Sequence, residues 1–584
     1  MKLVIAEKPS VGSGIAAVLG VKTRGDGYIE GNGYIVSWCV GHLVGLADAA
    51  QYDEKYGKWN REHLPIIPIS WKYVVFDGKK KQFNILKRLM NRKDVTEVVC
   101  ATDAGREGEL IFRFVYDMAE CNKPISRLWI SSMEESAIKQ GFADLKDGKE
   151  YKNLYESAIC RAKADWLVGI NATRLFTTLY GKTMNVGRVQ TPTLAMIIER
   201  QEKISGFKKE KYYMVKLKSG DLEIVSDHIK EKSEAEKIKA ACQSGQVVCV
   251  LVENEMKSVA PPKLFDLTAL QREGNRLFGY TAQQTLDCVQ KLYESKLVTY
   301  PRTDSRFLTS DMAANASNLS TSIVEKIGAG GLTSIDVKQI VNDSKVTDHH
   351  AIIPTAEYLK CDIDRLPENE RKILLLIVYR FAMATGDKFV YNAVTSLFDC
   401  NGNTFTAKGK STVSFGWKAI DLLFRPALGL KVIEENDGLP DLSEGKTFDN
   451  ANAAVSEHLT QPPKPFTEDS LLSAMERAGV EETNDEAERK GLGTSATRAA
   501  VIEKLVSSGF VKRKGKQLLP TADGVNLISV LPDELKTPLL TAEWENELTL
   551  ISNGESSATD FIQRIEKNVR DLVADNTKPK TGFK

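Results

Sequence analysis

The stretch Leu292-Tyr293-Glu294-Ser295-Lys296-Leu297-Val298-Thr299-Tyr300-Pro301-Arg302-Thr303-Asp304-Ser305 sets a phenol two residues from a guanidinium. Pro301 removes a backbone donor and pushes Tyr300 out of the helical region, so the chain here runs extended. Side chains alternate along an extended chain, which puts Tyr300 and Arg302 on one face. That pair suits nucleophilic attack on a phosphodiester. The guanidinium holds non-bridging oxygens bidentately and eases formation of a phenolate, whose ordinary pKa is about 10. Taken alone, the same triplet also reads as a half-buried tyrosine beside a solvated arginine at a strand edge.

A second set is acidic. Ala6-Glu7-Lys8-Pro9-Ser10 follows the apolar run Leu3-Val4-Ile5, and Asp103-Ala104-Gly105-Arg106-Glu107-Gly108-Glu109 follows the run from Val95 to Ala101. Carboxylates at strand ends can converge over one edge of a sheet and suit Mg²⁺, a hard ion that takes oxygen ligands. Helix N-capping by Asp103 or Glu107 is the alternative. Glu109 lies about 200° around a helix from Glu107 and makes a poor partner for it. A third segment, Asp348-His349-His350-Ala351-Ile352-Ile353-Pro354-Thr355, carries adjacent histidines that face different ways, so at most one reaches a given phosphate.

Net charge is only +1, so nucleic-acid binding has to come from local patches. Arg161, Lys163, Asp165 and Arg174 lie in one helical stretch, and Gly187-Arg188-Val189-Gln190-Thr191-Pro192 leads into another. A helix start at Pro192, preceded by glycine and flanked by arginine, can seat a phosphate or simply be a capped helix with solvated arginines. Gly491-Leu492-Gly493-Thr494-Ser495-Ala496-Thr497-Arg498 opens a helix through Leu505, and Phe510 to Lys516 reads as a hairpin with a basic tip. Helix plus basic wing suits a DNA backbone. The run Lys79-Lys80-Lys81 reads as a solvated face.

These groups need elements to position them. A strand, a turn and the apolar Ile15 to Leu19 open the chain, and a second strand, Val95 to Ala101, precedes a helix from Glu107 to about Ala119. Residues 1–148 therefore read as an α/β domain with acids at strand ends, where open α/β sheets bind ligands. Helices are expected from Asn153 to Leu175, from Thr191 to Arg200 and from 266 to 300, with mixed β structure from Tyr212 to Ser258. A linker is expected from Glu434 to Gly445 and a boundary at Gln461-Pro462-Pro463. A chain of 584 residues implies about three to five domains.

Other classes are disfavoured. The nine cysteines form no Cys-x-x-Cys pair, which suits reduced thiols and excludes a zinc ribbon. No apolar run is long enough to span a bilayer and no signal peptide is seen, so a cytoplasmic protein without a membrane partner is expected. Gly-Lys-[Ser/Thr] occurs at 181, 409 and 445, but Phe176, Thr404 and Pro440 stand where a phosphate-binding loop needs glycine. No bound nucleotide is expected.

The acidic strings resemble the toprim pattern, a glutamate after the first strand and then Asp-x-Asp-x-Glu, with Gly105 in place of the second aspartate. The tyrosine segment, the histidine segment and Gly491 to Arg498 resemble the motifs of type IA DNA topoisomerases, in family order and over about residues 1–575. Ala6-Glu7-Lys8-Pro9-Ser10 and the lack of a Cys-rich tail resemble the bacterial topoisomerase III branch. The resemblance implies an α/β and α+β multidomain fold, a four-domain toroid with a Rossmann-like toprim domain at 1–148. It places a helical, winged-helix-like domain at 149–209 and 459–584, a β-rich hinge at 210–262 and 385–458, and the tyrosine domain at 263–384.

It also implies ATP-independent cleavage of single-stranded DNA through a 5′-phosphotyrosine, strand passage and religation, relaxing negative supercoils and decatenating DNA at the bacterial nucleoid. Tyr300 is the implied nucleophile, with Arg302, Glu7, Lys8 and His349 catalytic and Glu294, Thr299 and Asp304 supporting. One Mg²⁺ is expected on Glu7, Asp103 and Glu107. DNA contacts are expected from Arg161, Asp165, Arg174, Arg188, Gln190, Thr497 and Arg498. A monomer acting on single-stranded and duplex DNA is expected, with a helicase or single-strand-binding protein as a candidate companion. A toprim nuclease with a structural Tyr300, and a DNA-binding module without activity, are the competing readings.

Overall fold

The computed structural model describes residues 1–131, 133–346, 348–432, 439, 442–480 and 491–579, and the linker expected at 434–445 falls largely outside them. The N-terminal sheet has seven strands in the order Thr23–Gly25, Tyr28–Gly31, Tyr34–Trp38, Lys2–Ala6, Glu97–Ala101, Ile125–Arg127, Lys146–Asp147. Its middle four are parallel. Leu3, Val4, Ile5 and Ala6 are wholly buried, as a central parallel strand covered on both faces requires.

From Lys2–Ala6 the chain moves to one side, pairing with Tyr34–Trp38, and later returns on the other side as Glu97–Ala101. The gap between those two carboxyl ends is the switch point at which open α/β sheets form a binding crevice. Ala6 and Ala101 lie opposite each other, so Glu7 and Asp103 leave the sheet side by side.

Three further cores follow. Helices Lys152–Tyr180 and Gln190–Ser205 share one with segments after 466, through Leu167, Leu194, Leu472, Ile502, Trp544 and Phe561. A second seven-stranded sheet, antiparallel throughout, runs Thr447–Phe448, Val247–Val259, Phe389–Cys400, Asn403–Ser414, Leu222–Val225, Lys211–Ser219, Asn452–Leu459. It closes on Val215, Cys249, Phe398 and Phe405. The third core, from Leu264 to Phe424, holds the tyrosine segment's neighbours Leu297, Val298, Ile352 and Ile353. Ile420 and Phe424, on the helix Lys418–Ala427 inside a stretch expected to be β-rich, belong to this core.

The single helix expected at 266–300 is two, Leu267–Phe278 and Ala282–Glu294. Gly279, at φ +74°, ends the first, and a reciprocal cap between Thr281 and Gln284 starts the second. Lys296, at φ +62°, then turns the chain before Tyr300 is reached. Among the described residues no helix is long and apolar enough to cross a membrane. All nine cysteines are free, in keeping with the reading of reduced thiols.

Candidate active site

Pro9 starts the helix Pro9–Val18, and Lys8 precedes it in extended conformation, its side chain returning over the sheet edge. Lys8 Nζ lies 2.9 Å from Asp103 Oδ2 and 3.1 Å from Glu7 Oε1. The loop after Glu97–Ala101 is held by a buried guanidinium: Arg127 donates to the carbonyls of Cys100, Thr102 and Asp103, the last at 2.6 Å. Thr102 Oγ1 donates to the Gly108 carbonyl at 2.8 Å. A Cβ at Gly108 would stand 2.1 Å from the Asp103 carbonyl oxygen, so only glycine lets the helix Arg106–Met118 start this close to its own loop.

The tyrosine segment is zipped to the histidine segment and bends at Pro301, where Thr303 N donates to the Pro301 carbonyl at 3.0 Å, so the chain is not extended through Arg302 as the sequence suggested. Thr299 N donates to the Ile353 carbonyl at 2.9 Å, and Thr299 Oγ1 accepts from Ile353 N at 3.0 Å and donates to the Ala351 carbonyl at 3.1 Å. Thr303 Oγ1 donates to the His349 carbonyl at 2.8 Å. Thr299 before Tyr300 and Thr303 after it thus fix the backbone on its two sides.

The two halves meet face to face. The Lys8 ammonium lies 3.8 Å from the centre of the Tyr300 ring. The His349 and Tyr300 ring centres are 4.5 Å apart, and His349 Nε2 lies 2.8 Å from Asp103 Oδ2. Tyr293 packs edge-on against Tyr300 at 5.4 Å, and its hydroxyl reaches Ser10 Oγ at 3.1 Å. His350 turns away, its Nδ1 2.8 Å from the Ala351 carbonyl oxygen, and burial pushes its pKa down to about 4. Of the paired histidines, His349 is the one that lies against Tyr300 and Asp103.

Charge is unevenly distributed. Burial, reinforced by Asp103, raises the Glu7 carboxyl above the carboxylate range despite Lys8. Burial would also raise Asp103, but His349 and Lys8 overcome it and hold this carboxyl well below that range. Burial alone would lower Lys8; Asp103, Glu7 and Tyr300 reverse the sign and keep it protonated. Burial raises the Tyr300 phenol, with Lys8 and Arg302 pulling the other way.

Arg302 donates to Gln290 Oε1 at 2.8 Å, and Gln290 Nε2 donates to Glu294 Oε1 at 2.9 Å. Glu294 therefore acts on Arg302 through Gln290, which the sequence reading missed. Asp304 Oδ1 accepts from Ser495 N at 3.2 Å, tying the tyrosine segment to the start of the helix Ser495–Ser507. The cleft so enclosed has a volume of about 380 Å³ and is lined by Glu7, Asp103, Glu107, Tyr300, Arg302 and His349 among others.

The three carboxylates expected on one ion line this cleft without converging. Glu107 Oε1 lies 2.6 Å from His42 Nε2, while Asp103 is taken by Lys8 and His349. Among the described residues no three His, Cys, Asp or Glu side chains are gathered as ligands. An all-carboxylate wall that draws an ammonium between two of its members nonetheless has the donors and the field that a hard divalent cation needs. Glu109 is turned into the core against Arg113 and Arg127, consistent with its exclusion as a ligand.

The expected DNA contacts divide. Arg161, Asp165 and Thr497 line the cleft. Arg188 does not: it is buried between Asp165, at 2.9 Å, and Glu545, at 3.7 Å. Glu545 also takes Arg106 at 2.6 Å; burial opposes its ionisation, but Arg106, Arg161 and Arg188 bring it down to about 2. Arg498 is buried and donates to the Leu492 carbonyl and Thr268 Oγ1. Arg174 donates to the Tyr56 carbonyl at 2.6 Å, and Gln190 has its amide nitrogen buried. The helix start expected as a phosphate seat is closed, with Thr191 and Thr193 buried. The helix start that does open on the cleft is that of Ser495–Ser507, capped reciprocally by Thr494 and Thr497. In the first strand of the basic hairpin, Arg513 is neutralised by Glu468 and Glu503.

Comparison with known proteins shows the family of the chain. A family model described as Toprim domain matches residues 2–133, and one described as DNA topoisomerase matches residues 149–563. The chain is 42% identical to DNA topoisomerase 3 of Bacillus licheniformis, over 99% of this chain and 82% of that protein. It is also 42% identical to DNA topoisomerase 3 of Bacillus subtilis, over 98% and 81% respectively. The structure of full-length topoisomerase I from Thermotoga maritima superposes with a TM-score of 0.74 at 20% identity, covering 99% of this chain and 91% of that one, a likeness of fold. Carrying both family regions in this order along one chain, the protein belongs to the type IA DNA topoisomerases.

Proposed function

We propose that the chain cuts and reseals one strand of DNA through Tyr300, and that the observation carrying this reading is the Lys8 ammonium held between the Tyr300 ring and the Asp103 carboxylate. The Tyr300 oxygen attacks phosphorus as the bond to the 3′ oxygen breaks, leaving a 5′-phosphotyrosine and a 3′ hydroxyl. The phenol proton passes to water as the tyrosyl oxygen attacks, and the departing 3′ oxygen takes one up. Lys8 or Glu7, side by side at the sheet edge, serves the second task, and Lys8, kept protonated by Asp103 and Glu7, adds fixed positive charge. Arg302, steadied by Gln290, clamps the non-bridging oxygens. Resealing reverses each step. Phosphodiester energy is kept in the covalent bond, so no nucleotide is consumed.

Glu7, Asp103 and Glu107 are the residues that would hold Mg²⁺, which supplies positive charge to the scissile phosphate and orients it. A single strand enters beside Thr494 to Thr497, and a second cleft of about 560 Å³ shares Asp304 with the first and continues along Arg272, Arg306 and Lys345. Relaxation of supercoiled plasmid, with and without EDTA, tests the reading. Mg²⁺-dependent relaxation without nucleotide is expected; linear product without relaxation would favour a nuclease.

A further inference from the structure

Gly105 stands where the toprim pattern has its second aspartate. Its backbone is extended, at φ −172° and ψ 176°, a conformation open to any residue, so the backbone does not require glycine. The requirement comes from across the cleft. A Cβ on Gly105 would stand 2.6 Å from Asp348 Oδ1 and 3.0 Å from Asp348 Cγ and Oδ2. Those distances lie well inside van der Waals contact. The carboxylate of Asp348 therefore fills the space into which an acidic side chain at 105 would project. Asp348 reaches it from the segment that carries His349, and the His349 to Asp103 contact of 2.8 Å pins that segment to the toprim edge.

We propose that Asp348 supplies the metal-site carboxylate that Gly105 lacks, so that the acidic set is Glu7, Asp103 and Glu107 on one wall and Asp348 on the other. All four line the same cleft. The proposal rests on the reading that this cleft holds a divalent cation, and it changes what that cation does. A carboxylate borrowed from the core that carries Tyr300 is present only while the two walls are together, so cation affinity and closure of the cleft are coupled. A chain with both acids on the toprim side has no such coupling.

The test is direct binding of Mn²⁺ to the full chain without DNA, read as free Mn²⁺ by electron paramagnetic resonance. Asp348→Asn is expected to weaken binding by about 10-fold, as does the control Asp103→Asn. The exchange variant Gly105→Asp with Asp348→Gly, which returns the carboxylate to the toprim side, is expected to bind as the wild type does. Unchanged affinity in Asp348→Asn with weakened Asp103→Asn overturns the assignment and leaves the metal reading intact. Unchanged affinity in both overturns both. Should Asp348→Asn lose its circular dichroism, the exchange variant decides: wild-type affinity supports the proposal and weak binding overturns it.

Discussion

Lys8 follows Ala6 of one hydrophobic core and Tyr300 follows Leu297 and Val298 of another, yet the Lys8 ammonium stands 3.8 Å from the centre of the Tyr300 ring. The same ammonium lies 2.9 Å from Asp103 and 3.1 Å from Glu7, so one cation links the nucleophile to the acidic edge. A cation on an aromatic face and between two carboxylates, largely out of water, is held more strongly than an exposed ion pair.

Removing that cation leaves two buried carboxylates facing each other. Lys8→Met is expected to destabilise the protein by about 3 kcal/mol and to lower the yield of covalent complex with a single-stranded oligonucleotide. Denaturant unfolding and a gel assay of the complex check the two effects separately.

Glu7 and Asp103 should respond to pH with opposite signs. The folded-state pKa of Glu7 is raised, chiefly by burial, so its charged form opposes folding at neutral pH and stability recovers as pH falls through the raised value. Glu7→Gln should therefore raise the melting temperature at pH 7, with the gain shrinking toward about pH 4. The Asp103 carboxyl is depressed despite burial, through His349 and Lys8. Its contribution is full above the unfolded value of about 3.9 and is lost as pH falls through the folded one, so Asp103→Asn should lower the melting temperature at pH 7. Scanning calorimetry of both variants across pH decides.

Gln290 makes no contact with Tyr300 that would mark it as catalytic, and it orients Arg302 by one 2.8 Å bond. Gln290→Leu should slow cleavage by about 10- to 100-fold, the range expected when a clamp is misplaced. Gln290→Glu, which keeps the acceptor, should restore most of the loss. Single-turnover cleavage rates test this.

Arg188 should prove structural. Its guanidinium is sealed between Asp165 and Glu545 and reaches no open surface. Arg188→Ala should lower stability by about 3 kcal/mol while leaving the slope of log affinity for single-stranded DNA against log salt unchanged. Loss of a phosphate contact would reduce that slope by about 0.7.

How much of this was legible in the sequence follows from what each feature depends on. Tyr300, Lys8, Asp103 and His349 sit in short motifs, and the apolar runs that place acids at strand ends follow from local rules alone. The helix break at Gly279 was also visible in principle, because glycine followed by Thr281 and Gln284 is a stop and a start. Gln290, His42 and Asp348 were not legible, since each acts on a residue that only tertiary packing brings near. That Arg188 and Arg498 lie buried was not legible for the same reason: an arginine near a helix start looks alike whether it faces phosphate or a buried Glu545.

The central claim is that Tyr300 forms the covalent bond to DNA. The most direct measurement is to quench the full chain on a labelled single-stranded oligonucleotide with denaturant, digest it, and locate the nucleotide-bearing peptide by mass spectrometry. The expected result is a 5′-phosphate adduct on the peptide containing Tyr300, absent in Tyr300→Phe while that variant still binds the oligonucleotide. An adduct on another residue, or cleavage that persists in Tyr300→Phe, would contradict the account.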